Sequence, residues 1–357
     1  MRSPPPAQPA DRIAGPADGD ALLAGLRSTL RDAVATALDG AVRVAMVDYP
    51  NHTNVGDHAI WAGARALLAE LGVEVAYVAD HASYSARRLR RRTGRGPVLL
   101  HGGGSFGDVW PAFQAFRERV VADGHDRRVV VLPQSIEFRD PVALGRARQV
   151  LGAHPDLVLV ARDATSRAFA VEHFAGARVL SAPDTALMLD LERPAPSVDV
   201  VWLSRTDAER TRAAVGEELD VATVDWTGHA AGESGWTPAY QRLHALTWNW
   251  GRRARRYPRL WPLLYPGLAR GYERLAQERV GVGVELLGRS RVVVTDRLHA
   301  HILSLLMGIP HVVLDTGYGK LDRFIAAWTA DSPLLHRAGS WTQAAELAGG
   351  LVGEPPA

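Results

Sequence analysis

Arg297, Leu298 and His299 stand where an apolar β-branched run, Val292–Val294, passes through Thr295-Asp296 into a helical pattern carrying Ile302, Leu303, Leu305 and Leu306. That pattern stops at Gly308, and Pro310 opens a second apolar run, His311–Leu314. Strand, helix, strand is the βαβ unit of a parallel sheet. In such sheets ligands sit beyond the carboxyl ends of the strands, where free N–H groups of the next helix favour anions. A guanidinium and an imidazole at that junction suit a phosphate or a carboxylate. A plainer reading stays open beside it, with Arg297 an ion-pair partner of Asp296 and His299 an ordinary residue of a helix start.

Two more cations fall at comparable places. Arg205 follows the apolar run Val198–Leu203 within Leu203-Ser204-Arg205-Thr206-Asp207, and is either a ligand contact or a structural ion pair. Lys320 is the only lysine of the chain and follows Tyr318-Gly319. A compact ammonium beside a glycine-loosened turn suits a phosphate. An arginine-rich chain can also leave its one lysine anywhere.

Three polar loops follow apolar runs before residue 190. Asn51-His52-Thr53-Asn54-Val55-Gly56-Asp57-His58 comes after the first run. There Gly56 permits backbone conformations that other residues resist, and Asp57 caps a helix or accepts a proton from a sugar hydroxyl. His101-Gly102-Gly103-Gly104-Ser105-Phe106-Gly107-Asp108 follows Val98–Leu100 and formally matches G-x-G-x-x-G. That fingerprint belongs to a first βαβ unit, and here it follows roughly the third strand, so a dinucleotide is not expected. Its glycines instead let a bulky ligand lie against the backbone. Ala182-Pro183-Asp184-Thr185-Ala186-Leu187 completes the set, with Asp184 expected to face the ligand.

These loops need elements to hold them. Helical spacing over Leu22–Leu38 predicts a leading helix. Strand-length runs follow at Val42–Val47, Val73–Val78, Val98–Leu100, Val129–Leu132, Leu157–Val160 and Arg178–Leu180. Helical stretches at Ala59–Leu71, Pro111–Ala122, Pro141–Leu151 and Thr165–Phe174 separate several of them. The alternation predicts an open α/β sheet. Glu192-Arg193-Pro194-Ala195-Pro196 reads as a linker, and a second series follows: Val198–Leu203, a helix over Ala208–Glu218, Val221–Asp225, Val292–Val294 and His311–Leu314. A last helical stretch, Trp341–Leu351, would pack back across the junction.

The expected organisation is a disordered tail and leading helix over 1–40, an N-terminal Rossmann-like domain over 41–192 and a C-terminal one over 193–357. A chain of 357 residues suits two domains. With no cysteine, disulfides, thiolate nucleophiles and zinc-thiolate sites are excluded. No metal-binding spacing such as H-E-x-x-H, no G-x-S-x-G elbow and no P-loop is present. A formal charge of +2 gives no global signal for nucleic acid. Without a transmembrane run or signal-peptide core, the expected location is the cytoplasm. The segment 248–275 breaks the alternation with interleaved Trp, Tyr and Arg. It is either an aromatic core helix pair with a solvated basic face or a peripheral contact with the inner membrane. Its prolines argue against a nucleic-acid module.

The ordered blocks Asn54-x-Gly56-Asp57, Gly102-Gly103-Gly104, Pro183-Asp184-x-Ala186, Ser204-Arg205, Arg297-Leu298-His299-Ala300, Gly308-Ile309-Pro310 and Tyr318-Gly319-Lys320 resemble the polysaccharide pyruvyl transferase family. The resemblance spans about Val42 to Phe324, and Arg-Leu-His-Ala is its most specific block. It implies two Rossmann-like domains facing a cleft, as in GT-B glycosyltransferases. It implies transfer of pyruvate from phosphoenolpyruvate onto two hydroxyls of one sugar, giving a cyclic ketal and phosphate, with phosphoenolpyruvate a co-substrate and no cofactor. Arg205 and His299 correspond to the donor-site pair, with Leu298 alongside. Lys320 and the helix start at Ala300 can add donors for the two anionic groups. Asn54, Gly56, Asp57, Gly103, Gly104 and Asp184 fall on the acceptor side. His299 is the expected general acid or phosphate partner. Asp57 is the expected base toward the acceptor, with Asp184 competing for that role, and Arg297 is expected to be structural. The segment 248–275 and the leading helix have no counterpart in the resemblance.

Overall fold

The computed structural model describes residues 19–205, 223–224, 226, 238–314 and 319–353. The expected tail, apart from its last residues, lies outside the described residues, as do the expected helix over 208–218 and Tyr318. Of the run expected over 221–225, Thr223–Val224 is described as a short strand.

Two parallel sheets form the structure. The first contains β1 (Arg43–Val47), β2 (Glu74–Ala79), β3 (Val98–Leu100), β4 (Gly103–Gly107), β5 (Val129–Glu137), β6 (Leu157–Ala161) and β7 (Arg178–Ser181). Its order is β2-β1-β3-β5-β6-β7, with β4 extending the line of β3 along β5. The central strands β3, β5 and β6 are buried almost throughout, which is why they read as continuous apolar runs and not as alternating ones. The second sheet contains β8 (Val198–Leu203), β9 (Thr223–Val224), β10 (Ser290–Thr295), β11 (His311–Leu314) and β12 (Leu335–Ala338), in the order β12-β11-β10-β8-β9.

Both orders contain the same reversal. After β1 the chain steps outward to β2, then crosses back to β3 on the other side. After β8 it steps to β9, then crosses back to β10. The gap between such strands, at their carboxyl ends, is where an open α/β sheet leaves room for a ligand. The loops singled out from the sequence after β1, β3, β8 and β10 are the four that flank these two gaps.

Six described helices precede β8 in the chain: α1 (Gly19–Leu38), α2 (Val55–Glu70), α3 (Ala86–Thr93), α4 (Pro111–Asp123), α5 (Pro141–Gly152) and α6 (Ala164–His173). Further along lie α7 (Pro238–Arg256), α8 (Trp261–Gly288), α9 (Leu298–Leu306), α10 (Lys320–Phe324) and α11 (Trp341–Gly353). No described helix is long and apolar enough to cross a membrane.

Helix α8 departs from the expected division of the chain. Its first half lies beyond residue 193, yet Trp261, Tyr265, Leu268, Tyr272, Leu275 and Ala276 pack into the core of the first sheet. Val280 and Leu287 in its second half join the core of the second. In the other direction, Val55, Ala59, Ala186 and Leu187 of the first series pack in that second core. The leading helix α1 also spans both, with Leu30 and Val34 in one core and Leu26 in the other. The chain's two series of strands therefore share elements, and a cut at one linker does not separate their cores.

Candidate active site

A cavity of about 610 Å³ opens where the four loops meet. From the first series it receives Asn54 and Asp57 at the start of α2, His101 and Gly104 around β4, and Arg162 after β6. From the second it receives Arg205 after β8, Asp296, Arg297, Leu298 and His299 after β10, and Lys320 at the start of α10. Four full cations thus face two carboxylates, Asp57 and Asp296, on one wall or another. Trp110 and Phe113, at the start of α4, add an aromatic side.

His299 is fixed by what lies behind it. Its ring rests against the Gly56 backbone so closely that a Cβ at Gly56 would come within 2.6 Å of the ring's Cγ. Gly56 sits inside the first turn of α2. The expectation that it supplies an unusual backbone conformation is therefore corrected: what matters is the missing side chain. On another side, His299 Nε2 lies 3.5 Å from Asp184 Oδ2, an ion-pair distance without a formed hydrogen bond.

Asp184 is wholly buried and takes a 2.6 Å hydrogen bond from Arg162 Nη1. Its other oxygen caps the 3-10 turn Thr185–Met188 by accepting from the Ala186 N–H at 2.9 Å. Burial alone would raise this carboxyl, but His299, Arg162 and the Ala186 N–H hold it well below the carboxylate range. It is an ionised anchor behind His299. That corrects its expected place among the acceptor contacts, because it does not reach the cavity surface.

The capping role expected for Asp57 belongs to Asn54. Asn54 Oδ1 accepts from the Gly56 N–H at 3.2 Å, and its Nδ2 donates to Asp57 Oδ2 at 2.8 Å. Asp57 is left partly open to the cavity, with His52 Nε2 3.6 Å from it. Burial pushes its pKa up, but His52, His101, His299 and the Asn54 hydrogen bond outweigh that and keep it below its ordinary value. His101 is buried, which lowers its pKa, and among the described residues neither of its ring nitrogens makes a hydrogen bond. An ionised carboxylate and a neutral imidazole thus sit together on the first-series wall.

Lys320 crosses from the second series to the first, donating from Nζ to the Gly104 carbonyl at 2.8 Å. The Trp328 indole does the same to the Arg162 carbonyl at 2.8 Å. The glycine run is a strand and not an open loop. Gly103 (φ 111°) turns back onto the ladder in a conformation that favours glycine, and it does not line the cavity. Gly104 alone of the run does, which corrects the expected acceptor contact at Gly103.

On the second wall, Asp296 Oδ1 accepts the Arg205 N–H at 2.9 Å. Burial raises Asp296 to about 6, with Arg297 and Arg205 opposing. Arg297 is buried, lines the cavity and stands 6.0 Å over the Trp226 ring. Its expected structural role and a ligand-facing position coincide.

The sequence profile of the polysaccharide pyruvyl transferases matches residues 54–318. The chain belongs to this family. Pyruvyl transferase 1 of Schizosaccharomyces pombe is 33% identical over 305 residues, covering 81% of this chain and 70% of that one. EpsO of Bacillus subtilis (strain 168) is 29% identical over 294 residues, 81% of this chain and 86% of its own. In fold, the chain is similar to an uncharacterized protein from Klebsiella pneumoniae subsp. pneumoniae NTUH-K2044. That crystal structure has a TM-score of 0.58 at 15% identity, over 88% of this chain and 99% of that one.

In this member of the family, Asn54, Asp57, Gly104, Arg205, Leu298, His299 and Lys320 of the residues expected from sequence lie on one cavity. Gly56, Gly103, Asp184 and Ala300 stand behind its surface. Arg162, His101, His52, Asp296 and Trp226 line it without having been expected there. Arg162 carried a usable signal: Arg162-Asp163 follows the apolar run LVLVA directly and precedes a helix, the same strand-to-helix junction as Arg297.

Proposed function

We propose that the protein transfers pyruvate from phosphoenolpyruvate to a saccharide, forming a cyclic ketal, in the cavity between its two Rossmann-like halves. On this reading the halves are domains facing a GT-B-like cleft. The observation that carries it is the convergence of Arg162, Arg205, Arg297, Lys320 and His299 on one cavity that also offers Asp57 and two aromatic rings. Phosphoenolpyruvate carries a phosphate and a carboxylate, and several fixed cations suit both. A saccharide presents hydroxyls for a carboxylate and C–H faces for Trp110 and Phe113.

In the proposed reaction His299, placed beside ionised Asp184, protonates the methylene carbon of phosphoenolpyruvate. The neighbouring carbon becomes oxocarbenium-like. One sugar hydroxyl attacks it and loses its proton toward Asp57. The carbon–oxygen bond to phosphate then breaks, and the second hydroxyl closes the ring. Of the two hydroxyl protons, one replaces that given to the methyl group and the other leaves with phosphate. Asp184 is a positioning residue in this scheme, since it acts through His299.

Calorimetric titration with phosphoenolpyruvate beside UDP, GDP and CMP tests the donor. Selective phosphoenolpyruvate binding, weakened in Arg205→Ala, is expected. Arg205→Ala and His299→Ala should each abolish phosphate release with an acceptor present while keeping the wild-type circular dichroism. Nucleotide binding with indifference to phosphoenolpyruvate would move the chain to nucleotide-sugar chemistry.

A further inference from the structure

Beside the catalytic cavity lies a second pocket of about 500 Å³. It is lined by Arg87, Arg88, Arg91 and Arg92 of α3, by Arg119 of α4 and by Trp261 at the start of α8. No carboxylate is among the described residues that line it. Three of its cations stand over aromatic faces, Arg119 over Tyr84 at 5.1 Å being the loosest. The Arg88 guanidinium sits 3.9 Å over Trp261, and that of Arg92 sits 4.1 Å over Tyr265 while donating to the Ala76 carbonyl at 2.6 Å. Arg87 and Arg91 make no ion pair or hydrogen bond among the described residues, so their charge faces solvent.

An apolar corner adjoins this pocket through Trp261 and Pro262. It is the turn between α7 and α8, where Tyr257, Leu260 and Leu263 are 49%, 47% and 79% exposed. Arg253, Arg256 and Arg259 lie in the same stretch and are also exposed. A leucine so exposed beside a row of guanidiniums is costly in water and useless toward a soluble anion.

We infer that this face docks on an anionic lipid bilayer, the arginine pocket taking a phospholipid headgroup and Leu260 and Leu263 entering the acyl boundary. Charge complementarity carries the headgroup contact, and the protruding apolar corner carries the choice of bilayer over polyanion. Tyr257 then lies at headgroup level, where its ring and hydroxyl both find suitable surroundings. A nucleic acid would satisfy the arginines and leave Leu263 in water. The pocket also abuts the catalytic cavity, since His81 on its wall packs 4.9 Å from Phe113, which lines that cavity. On the pyruvyl-transfer reading, a saccharide borne on the membrane would be presented beside its site of reaction. The docking itself does not rest on that reading.

The test is co-sedimentation of the full chain with vesicles of phosphatidylglycerol and phosphatidylcholine, beside vesicles of phosphatidylcholine alone. Binding to the anionic vesicles at low salt is expected, with loss at high salt. Leu260→Asp with Leu263→Asp, and separately Arg87→Glu with Arg91→Glu, should each lower the bound fraction about tenfold. Unchanged phosphoenolpyruvate binding and circular dichroism show that both double variants are folded. The proposal is overturned if the anionic vesicles bind no protein, or if either double variant binds like wild type. Release from the vesicles by inorganic phosphate at unchanged ionic strength would likewise overturn it in favour of a soluble-phosphate site, and preference for a single-stranded oligonucleotide in favour of nucleic acid. The measurement needs no turnover, so its failure leaves the transfer reading standing.

Discussion

The cavity's chemistry depends on side chains held by neighbours that never touch its contents. Gly56 is the clearest case, because the His299 ring occupies the space a methyl group would need. Gly56→Ala should leave α2 intact, alanine being the better helix former, while pushing the imidazole aside. A displacement of about 1 Å costs on the order of 100-fold in rate, so kcat should fall by that factor at unchanged thermal stability. A wild-type kcat would mean that the ring's position is not critical. Asp296 supports a prediction in pH. Its carboxyl is raised to about 6 by burial, and it shares the cavity with the proposed donor. Below that pH it is neutral, and above it a second anion confronts the substrate. Phosphoenolpyruvate affinity should therefore weaken as pH rises through about 6, after allowance for the ligand's own titration. Asp296→Asn should remove that component, and titration calorimetry across pH 5–8 on the order of half-unit steps reads it directly. The same slope in the variant would exclude Asp296 as its source.

At the scale of elements, α8 bears on the core reading of the segment 248–275. Its inner face is core: Trp261, Tyr265, Leu268 and Tyr272 are buried against the first sheet. Tyr265 also serves the edge strand β2, accepting the Val78 N–H at 2.7 Å and donating toward the Ala76 carbonyl at 3.4 Å. A side chain thus covers groups that an edge strand would leave unpaired. Tyr265→Phe strands a buried N–H and should cost about 1–3 kcal/mol, seen as a lower urea midpoint with unchanged slope. A loss below about 0.5 kcal/mol would mean that water replaces the hydroxyl. What the sequence made legible follows from the same physics. The strands of the first sheet stand out because burial on both faces demands unbroken Val and Leu, and the junctions after β1, β8 and β10 stand out because polar residues interrupt those runs. Helix α3 did not: ARRLRRRT has one buried leucine and no apolar period. The return of α8 to the first sheet was equally hidden, since local periodicity identifies a helix but not the sheet it covers. Nor could spacing separate Asp184, sealed behind His299, from Asp57, which opens to the ligand. Both are a polar residue after an apolar run, and only the tertiary neighbours distinguish them.

For the molecule as a whole, the two sheets share a common sensitivity to acid, because each is packed against histidines that must stay neutral. Burial lowers His58 to about 3, with His52 adding to the effect, in the helix beside β1. Burial also lowers His311 to about 4 and His301 well below its ordinary value in the second half, where the two rings meet at 2.7 Å. In the unfolded chain each titrates near 6.5. Above that value both states are uncharged at these positions, and the native packing keeps its full stability. As pH falls below it, the unfolded chain takes up protons that the folded chain refuses, and each such histidine removes up to about 1.4 kcal/mol per pH unit. Asp296 acts in the opposite sense: raised to about 6, it adds stability that is present at low pH and lost as pH rises through that value. Glu273, also raised by burial, acts in the same sense; two carboxyls offset two histidines at most, so the three histidines decide the sign. Urea unfolding should give a stability that is level near neutrality and falls between about pH 6.5 and pH 4.5. His58→Gln retains a donor toward the His52 carbonyl, which the native ring approaches at 2.6 Å, and removes one titrating group. Its stability should fall less steeply with acid, by up to about 1.4 kcal/mol per pH unit. An unchanged slope would mean that the His58 ring takes up its proton inside the folded protein, and the acid sensitivity would then come from the other buried histidines, the pair of the second sheet and His101 among them.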